Sequence, residues 1–146
     1  MDIDKLLAEL TDDPEVIGYA SMDADAAAAA MNDPTRTYMV TLGSRQVLEW
    51  AMQDERLAGV IDAAATGSKA IRAIAIGARA LIERPDTEID LNKPIHNELI
   101  QTLETASALN VGSLDSLQAL ATRTRSRGEE LGLGVVRVEH VNKARR

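Results

Sequence analysis

Residue types that could carry out chemistry are scarce in this sequence, and the first candidate is a tripeptide. Gly67-Ser68-Lys69 has the residue types that end a phosphate-binding loop, but Asp62 stands where such a loop needs its first glycine. Ser68 also lacks a histidine nearby in the sequence that would activate its hydroxyl as a nucleophile. The pattern therefore indicates the start of a helix, with Ser68 as the N-cap.

Metal ligands are equally few. His96 and His140 are the only histidines, and although two imidazoles and a carboxylate can hold zinc, these two do not form a helical i, i+4 ligand pair. Asp23 and Asp25 fit no calcium-loop spacing, and helix capping explains them. The chain has no cysteine. We therefore expect no metal site, no cofactor and no catalytic residue, and so a protein that is not an enzyme.

The composition bounds the fold. Hydrophobic residues make up 45% of the chain but aromatic residues only 2%, with Trp50, Tyr19 and Tyr38 as the only rings. Alanine and leucine must fill the interior, which favours closely packed helices over a sheet sandwich. The absence of cysteine is compatible with a reducing cytoplasm. Neither a signal peptide nor a run of about eighteen apolar residues is present, so we expect neither secretion nor membrane insertion.

Apolar periodicity places the helices. The helix predicted over 68–84 is apolar around most of its surface and is expected at the centre of the core. Residues 35–42 are rich in β-branched side chains and predict a loop or a short strand. The predicted fold is all-α, a compact multi-helix bundle with a C-terminal arm, divided into a helical body over 1–125 and an arm over 126–146. Other helices are predicted over 2–10, from Ser21 or Asp23 to residue 31, over 44–66 and 94–106, and from Ser113, as the N-cap, toward the arginines at 123, 125 and 127.

The C-terminal arm has strong local signals. Ser126 and Glu129 have the spacing of a capping box, which satisfies two backbone N–H groups at a helix start. Gly132 and Gly134 are typical of a helix stop. A short extended link then leads to a final helix whose last turn carries cations, where they suit the helix dipole. We expect an ordered arm that ends in a short basic helix.

Charge is distributed unevenly along the chain. Residues 1–121 contain 9 Lys and Arg against 20 Asp and Glu, a net charge of −11, and residues 122–146 contain 7 against 3, a net charge of +4. An acidic body with a basic end suggests contact with a polyanion or head-to-tail association between copies. A solvated charged surface is the alternative interpretation.

Both ends of the chain resemble one known family. The opening LLAELTDDP (6–14), followed by GYASMDADAA (18–27), resembles the "LxxELTxDPxxxGYxxM" start of small proteins encoded among the virion genes of tailed bacteriophages and prophages. The ending SRGEELGLGVV (126–136), with Val138, Ala144 and Arg145, is similar to that family's "SRAEELGLGxV…V…AR". Asn32 and the segment 35–37 match a family "N…RT" pattern, whereas the residues after Thr37 depart from it.

The resemblance implies a small, mainly helical structural protein from the head–tail gene neighbourhood. The chain's layout, a helical body with a C-terminal arm, is that of a neck or head–tail connector (adaptor) subunit. Such subunits form a homo-oligomeric ring between the portal protein and the tail and neck proteins. The expected location is the head–tail junction of the virion, after synthesis in the host cytoplasm. Genome DNA would pass through the lumen without sequence-specific binding, and no membrane would be involved.

Under this hypothesis the arm joins a neighbouring ring or subunit. Deleting residues 135–146 would then leave a folded body that no longer joins portal or tail. Two alternatives stay open: a helix-turn-helix-like DNA-binding protein for regulation or packaging, and a tail-assembly or tail-completion factor. The residues expected to make the arm contacts are Arg137, Lys143, Arg145 and Arg146 as cations and Val138 and Val141 as apolar anchors.

Overall fold

The computed structural model describes all 146 residues, and 60% of them are helical. The expectation of a mainly helical protein is confirmed. A strictly all-α class is not, because two two-stranded sheets are also present, one pairing Arg36–Met39 with Thr122–Arg125 and one pairing Leu42–Gly43 with Glu88–Ile89. The elements are α1 (Ile3–Asp12), a 3-10 turn (Tyr19–Ser21), α2 (Ala24–Asn32), β1 (Arg36–Met39), β2 (Leu42–Gly43), α3 (Ser44–Ala51), α4 (Arg56–Thr66), α5 (Lys69–Glu83), β3 (Glu88–Ile89), α6 (Pro94–Thr105), α7 (Ser113–Ala121), β4 (Thr122–Arg125), α8 (Arg127–Glu130) and α9 (Val138–Ala144).

The chain forms two compact units, each with its own hydrophobic core. The terminal unit comprises residues 1–38 and 124–146, and the central unit comprises residues 39–123. The predicted division into a body over 1–125 and an arm over 126–146 is therefore wrong. The physical reason is that Val136, Val141 and Ala144 complete the same buried cluster as Leu6 and Leu10.

In the terminal unit, α1 begins where the Asp2 carboxylate accepts a hydrogen bond from the Lys5 backbone N–H. Its apolar face buries Leu6 and Leu10. The helix ends at Asp13, which lies in the left-handed region and whose carboxylate accepts from the backbone N–H groups of Ile17 and Gly18. Helix α9 packs on both α1 and α2, so the C-terminal helix belongs to the interior of this unit.

The predicted capping box of the C-terminal segment is confirmed. Ser126 and Glu129 exchange side-chain and backbone hydrogen bonds at the start of α8. Gly128 has no room for a side chain, because a Cβ there would lie 2.5 Å from the Gly134 carbonyl oxygen. The Asn32 side chain then bonds both the N–H and the carbonyl of Val136, which fixes the extended link before α9.

Two short strands, β1 and β4, test the predictions for residues 35–42 and for the residues after Ala121. Strand β1 lies within the stretch 35–42, for which a loop or a short strand was predicted. Strand β4 is a correction, since the helix begun at residue 113 was expected to continue to the arginines but ends at Ala121. The alternation of threonine and arginine in β4 suits an extended chain better than a helix.

In the central unit, α5 packs against α3, α4 and α6. Its predicted place in the core is confirmed for the side that carries Ala75, Ala78 and Ile82, whereas the opposite side faces solvent and leaves Ile76 56% exposed. Strands β2 and β3 pair antiparallel, with Leu42 opposite Ile89. The predicted helix over 44–66 is divided into α3 and α4 by a turn in which Asp54 and Glu55 are left-handed. No helix of the protein has the length and apolar character that crossing a membrane requires.

The predicted N-cap at Ser113 is also corrected. Ser113 is the first residue of α7, is fully buried and caps nothing. The Glu104 carboxylate takes that role by accepting from the backbone N–H groups of Leu114 and Gly112. These hydrogen bonds hold the pKa of Glu104 below its ordinary value, because they favour the ionised carboxylate.

The C-terminal helix should be required for the terminal unit to fold. Deleting residues 138–146 removes Val141 and Ala144 from the core, which are 0% and 6% exposed. We expect amides of α1 and α2 to lose protection in hydrogen-exchange mass spectrometry while amides of α5 keep it. The matched variant K143A/R146A changes exposed residues of the same segment and should keep full protection. Undiminished protection of α1 after the deletion would show that α9 is dispensable.

Candidate functional site

The structure divides the six residues predicted as arm contacts into two groups. Val141 is completely buried, and Val138 packs against the same core. Arg145 donates hydrogen bonds to the carbonyl oxygens of Tyr19, at 2.8 Å, and Met22, at 2.9 Å. The predicted role of Val141 as a contact to another protein is therefore wrong, since its side chain is closed to solvent in its own unit. Val138 and Arg145 also have partners in that unit, but Val138 is half-buried and Arg145 exposed, so their contact with another protein stays a prediction.

The other three predicted residues form an exposed cationic face. The Arg137 side chain is 72% exposed just before α9, Lys143 is exposed in the last turn of α9, and Arg146 is exposed just after that helix. Glu139 is the acidic neighbour on this face, 3.7 Å from the Arg137 guanidinium. We call Val135, Arg137, Lys143 and Arg146, together with Glu139, the cationic face. Its cations are available to an anionic partner.

Inside the terminal unit, one ion pair joins the two ends of the chain. The Arg127 guanidinium contacts both oxygens of the Glu9 carboxylate, at 2.7 Å and 2.9 Å. Glu9 is only 6% exposed. A bidentate arginine–carboxylate pair is among the strongest charge-assisted hydrogen-bond arrangements in proteins. The hydrogen bonds to Glu9 raise the pKa of Arg127 above its ordinary value, so the guanidinium stays charged.

Further charges extend this pair into a network. Glu15 is bonded to both Arg127 and Arg36. Glu130 lies 2.9 Å from Arg127, 3.1 Å from Arg36 and 3.6 Å from Arg125. The Arg127 guanidinium, with the two further arginines, holds the pKa of the Glu130 carboxyl below its ordinary value. Three glutamates and three arginines thus neutralise one another, which explains how a nearly buried carboxylate is tolerated.

Tyr19 lies next to this network and is fully buried. Its hydroxyl group lies 3.0 Å from the Met31 sulfur, to which it donates. Burial, followed by the negative charge of Glu9, raises the pKa of Tyr19 to about 12. The phenol is therefore neutral in the folded protein under ordinary conditions.

The residues that were considered for chemistry have structural roles in this fold. Ser68 is the N-cap of α5 and accepts from the Ile71 backbone N–H at 3.4 Å. His96 Nδ1 accepts from the Asp90 backbone N–H, and His140 Nδ1 accepts from that of Arg137. No group of three histidines and carboxylates is placed to hold a metal ion.

The central unit contains a buried arginine that the sequence did not reveal. Arg56 is 5% exposed, and its guanidinium lies 4.9 Å from the centre of the Trp50 ring. It donates to the Trp50 carbonyl oxygen at 3.1 Å and the Ser113 hydroxyl at 3.2 Å, and lies 3.3 Å from the Asp54 carboxylate. Arg56 therefore fixes the turn between α3 and α4 against the start of α7.

A cleft of about 300 Å³ opens beside Trp50 in the central unit. The lining is mixed, with amide, carboxylate and hydroxyl groups beside the side chains of Trp50 and Leu120. The indole N–H of Trp50 is buried and has no hydrogen-bond partner. The lining residues are Gln46, Glu49, Trp50, Gln53, Ser116 and Leu120.

The helix-turn-helix interpretation of the C-terminal segment does not fit the geometry. Helix α8 is a single turn of four residues, and α9 has seven residues with one side in the core. A reading helix needs a supporting helix that crosses the DNA backbone, and α8 is too short for that role.

No family model, no curated protein and no solved structure matches this chain.

Breaking the ion pair between Glu9 and Arg127 from one side should strongly destabilise the terminal unit. Replacing Arg127 with methionine leaves the buried Glu9 charge without its partner, and we expect the free energy of unfolding to fall by roughly 3 kcal/mol. Urea denaturation followed by circular dichroism measures this loss. The double variant E9M/R127M removes both charges and should recover much of it.

The matched control for this prediction is the exposed pair Arg45–Glu49. The two side chains are 91% and 63% exposed, so R45M should change stability by no more than about 0.5 kcal/mol. An R127M variant as stable as R45M would contradict the importance of the buried pair.

Tyr19 should make the protein sensitive to alkali. The folded pKa is about 12 against an ordinary 10.0, so above pH 10 the unfolded chain loses a proton that the folded chain keeps. The stability is thus complete below pH 10 and is lost as the pH rises toward 12. We expect Y19F to remove this part of the pH dependence in urea denaturation between pH 9 and about 12. The control variant Y38F should keep it, and equal curves for Y19F and the parent protein would contradict the assignment.

Proposed function

We propose that this protein is a structural component of a tailed-phage virion, a ring subunit at the head–tail connection between portal and tail. The observation that carries the proposal is the contact between the two stretches that resemble the phage family. Glu9 belongs to the opening pattern and Arg127 to the closing pattern, and the two side chains bond each other at 2.7 Å and 2.9 Å. The two stretches are distant in the sequence but belong to one core. This supports a resemblance that extends to the whole folded unit and is not confined to two short motifs.

Other residues of the same patterns serve the same unit. Gly18 adopts a φ of 91°, which favours glycine, and Tyr19 behind it is fully buried. Asn32 fixes the backbone of Val136, and Arg36 joins the network through Glu15. The patterns thus encode a fold rather than a catalytic site, which is in keeping with a structural role.

The charges suit a subunit that surrounds DNA and binds protein. The chain carries a formal net charge of −7, and an acidic wall would not hold a passing duplex, because tight binding requires that phosphates be neutralised by cations. The cationic face is a local exception that suits an acidic protein surface. The connector is therefore built by a docked C-terminal helix with an exposed basic side, and not by a free arm.

The composition of purified particles tests the proposal. Particles of the phage that encodes this chain should contain the protein in a constant ratio to the portal protein through successive purification steps, as measured by mass spectrometry. Antibodies against it should label the head–tail junction in electron micrographs. Absence from particles would make it an assembly factor instead, and label elsewhere on the virion would overturn the connector role.

Binding to DNA serves as the second arm of this test. A regulatory or packaging protein would shift a DNA duplex at low salt, with an affinity that falls steeply as salt rises. We expect no specific shift, and a salt-sensitive, sequence-dependent shift would overturn the proposal.

A further inference from the structure

The central unit presents an exposed surface formed by two adjacent turns. One turn joins α3 to α4 and exposes Met52, which is 70% exposed, with Asp54 and Glu55 beside it. The other turn precedes α7 and exposes Val111, which is 96% exposed. The Asn110 side chain donates to the Asp54 carbonyl oxygen at 3.0 Å, so the turns are held together. We call Met52, Asp54, Glu55, Val111 and Asp115, an exposed acid in the first turn of α7, the turn surface.

The backbone of this surface is strained. Asp54 and Glu55 are consecutive residues with φ values of 51° and 59°, in the left-handed region that favours glycine. Consecutive residues with side chains seldom adopt this conformation, because the Cβ comes too close to the following carbonyl oxygen. Strain of this kind persists only where surrounding contacts enforce it, and it is concentrated at functional sites.

Arg56 supplies the enforcing contacts. Its guanidinium stacks on Trp50 and bonds the Trp50 carbonyl, the Ser113 hydroxyl and the Asp54 carboxylate. Burying a guanidinium carries a desolvation cost. The result is a turn held by Arg56 that exposes the large apolar side chain of Met52. This exposure does not stabilise the folded chain. An exposed apolar patch with a polar rim is typical of a surface that binds another molecule.

The charge of the turn surface selects the partner. Asp54, Glu55 and Asp115 are exposed acids, and the cation beside them, Arg56, is buried and already bonded. A fitting partner therefore carries exposed cations next to an apolar side chain. The cationic face of the terminal unit has this chemistry, with Arg137, Lys143 and Arg146 exposed and with Val135, which is 71% exposed, two residues before Arg137.

We propose that the turn surface of one copy binds the cationic face of a second copy. The two surfaces differ, so the contact is heterologous and repeats from copy to copy, closing into a ring when the rotation permits. The inference rests on the proposed ring function, for which it supplies the contact between subunits. Opposite charges steer the copies together and fix their register, while Met52, Val111 and Val135 supply the apolar area.

A charge-swap experiment on the full-length protein tests this contact. The acid-reversed variant E55K/D115K and the base-reversed variant K143E/R146E should each weaken self-association roughly tenfold or more, as measured by sedimentation velocity at low salt. An equimolar mixture of the two should associate again, because each reversed surface then meets a complementary one. Circular dichroism verifies that each variant is folded, and V111S, which changes no charge, should weaken association in the same assay.

The control is D86K/E88K, which reverses two exposed acids elsewhere in the central unit and should associate like the parent protein. Three results would overturn the inference: a parent protein that stays monomeric at about millimolar concentration, reversed variants that associate as well as the parent, or a mixture that regains nothing. Each of these leaves the particle test of the ring function unchanged. Conversely, a successful charge swap together with absence of the protein from virions would overturn the proposed ring function and support the contact between copies.

Discussion

The terminal unit depends on a bond between the two ends of the chain. Glu9 lies in the first helix and Arg127 in a single-turn helix near the C-terminus, yet their side chains form a bidentate pair that is almost closed to solvent. Such a pair is costly to desolvate unless all its hydrogen-bonding positions are used. Glu15 and Glu130 accept from a further nitrogen of Arg127, and Arg36 pairs with both of these glutamates. The capping box at Ser126 then holds Arg127 in place.

The same constraint sorts the cations of the C-terminal segment. Those on the inner side bond groups of the terminal unit itself: Arg127 binds carboxylates, and Arg145 binds two backbone carbonyls. Those of the cationic face have no such role. The cations of the C-terminal segment therefore have two different roles in the structure. Arg127 and Arg145 bond groups within the terminal unit, and the others form the exposed cationic face. The cationic face is open to a partner, which is why the proposed contact involves Arg137, Lys143 and Arg146 and not the buried Val141.

Local signals in the sequence were reliable because their partners lie within a few residues. The capping box of Ser126 and Glu129, the N-caps Asp2 and Ser68 and the central position of α5 were all predictable from spacing alone. Local errors were the N-cap at Ser113 and the helix expected to continue past Ala121. The larger errors concern partners far apart in the sequence. Nothing near Val141 indicates that it packs on α1, and no periodicity marks Arg56 as buried beneath Trp50. An apolar face on a basic helix fits an intramolecular core as well as another protein, so the sequence left the arm's partner undecided.

The order of the units along the chain explains how such distant ends can meet. The central unit lies between the two segments of the terminal unit in the sequence, so the terminal unit must close a long loop. Within the central unit, the Val40 N–H bonds the Ala121 carbonyl oxygen at 2.9 Å, which brings the ends of the insertion together. Once the central unit folds, the remaining segments start from neighbouring points, and the entropy of closing the long loop no longer opposes the Glu9–Arg127 pair. A folded central core therefore lowers the entropic cost of forming the charged network of the terminal unit.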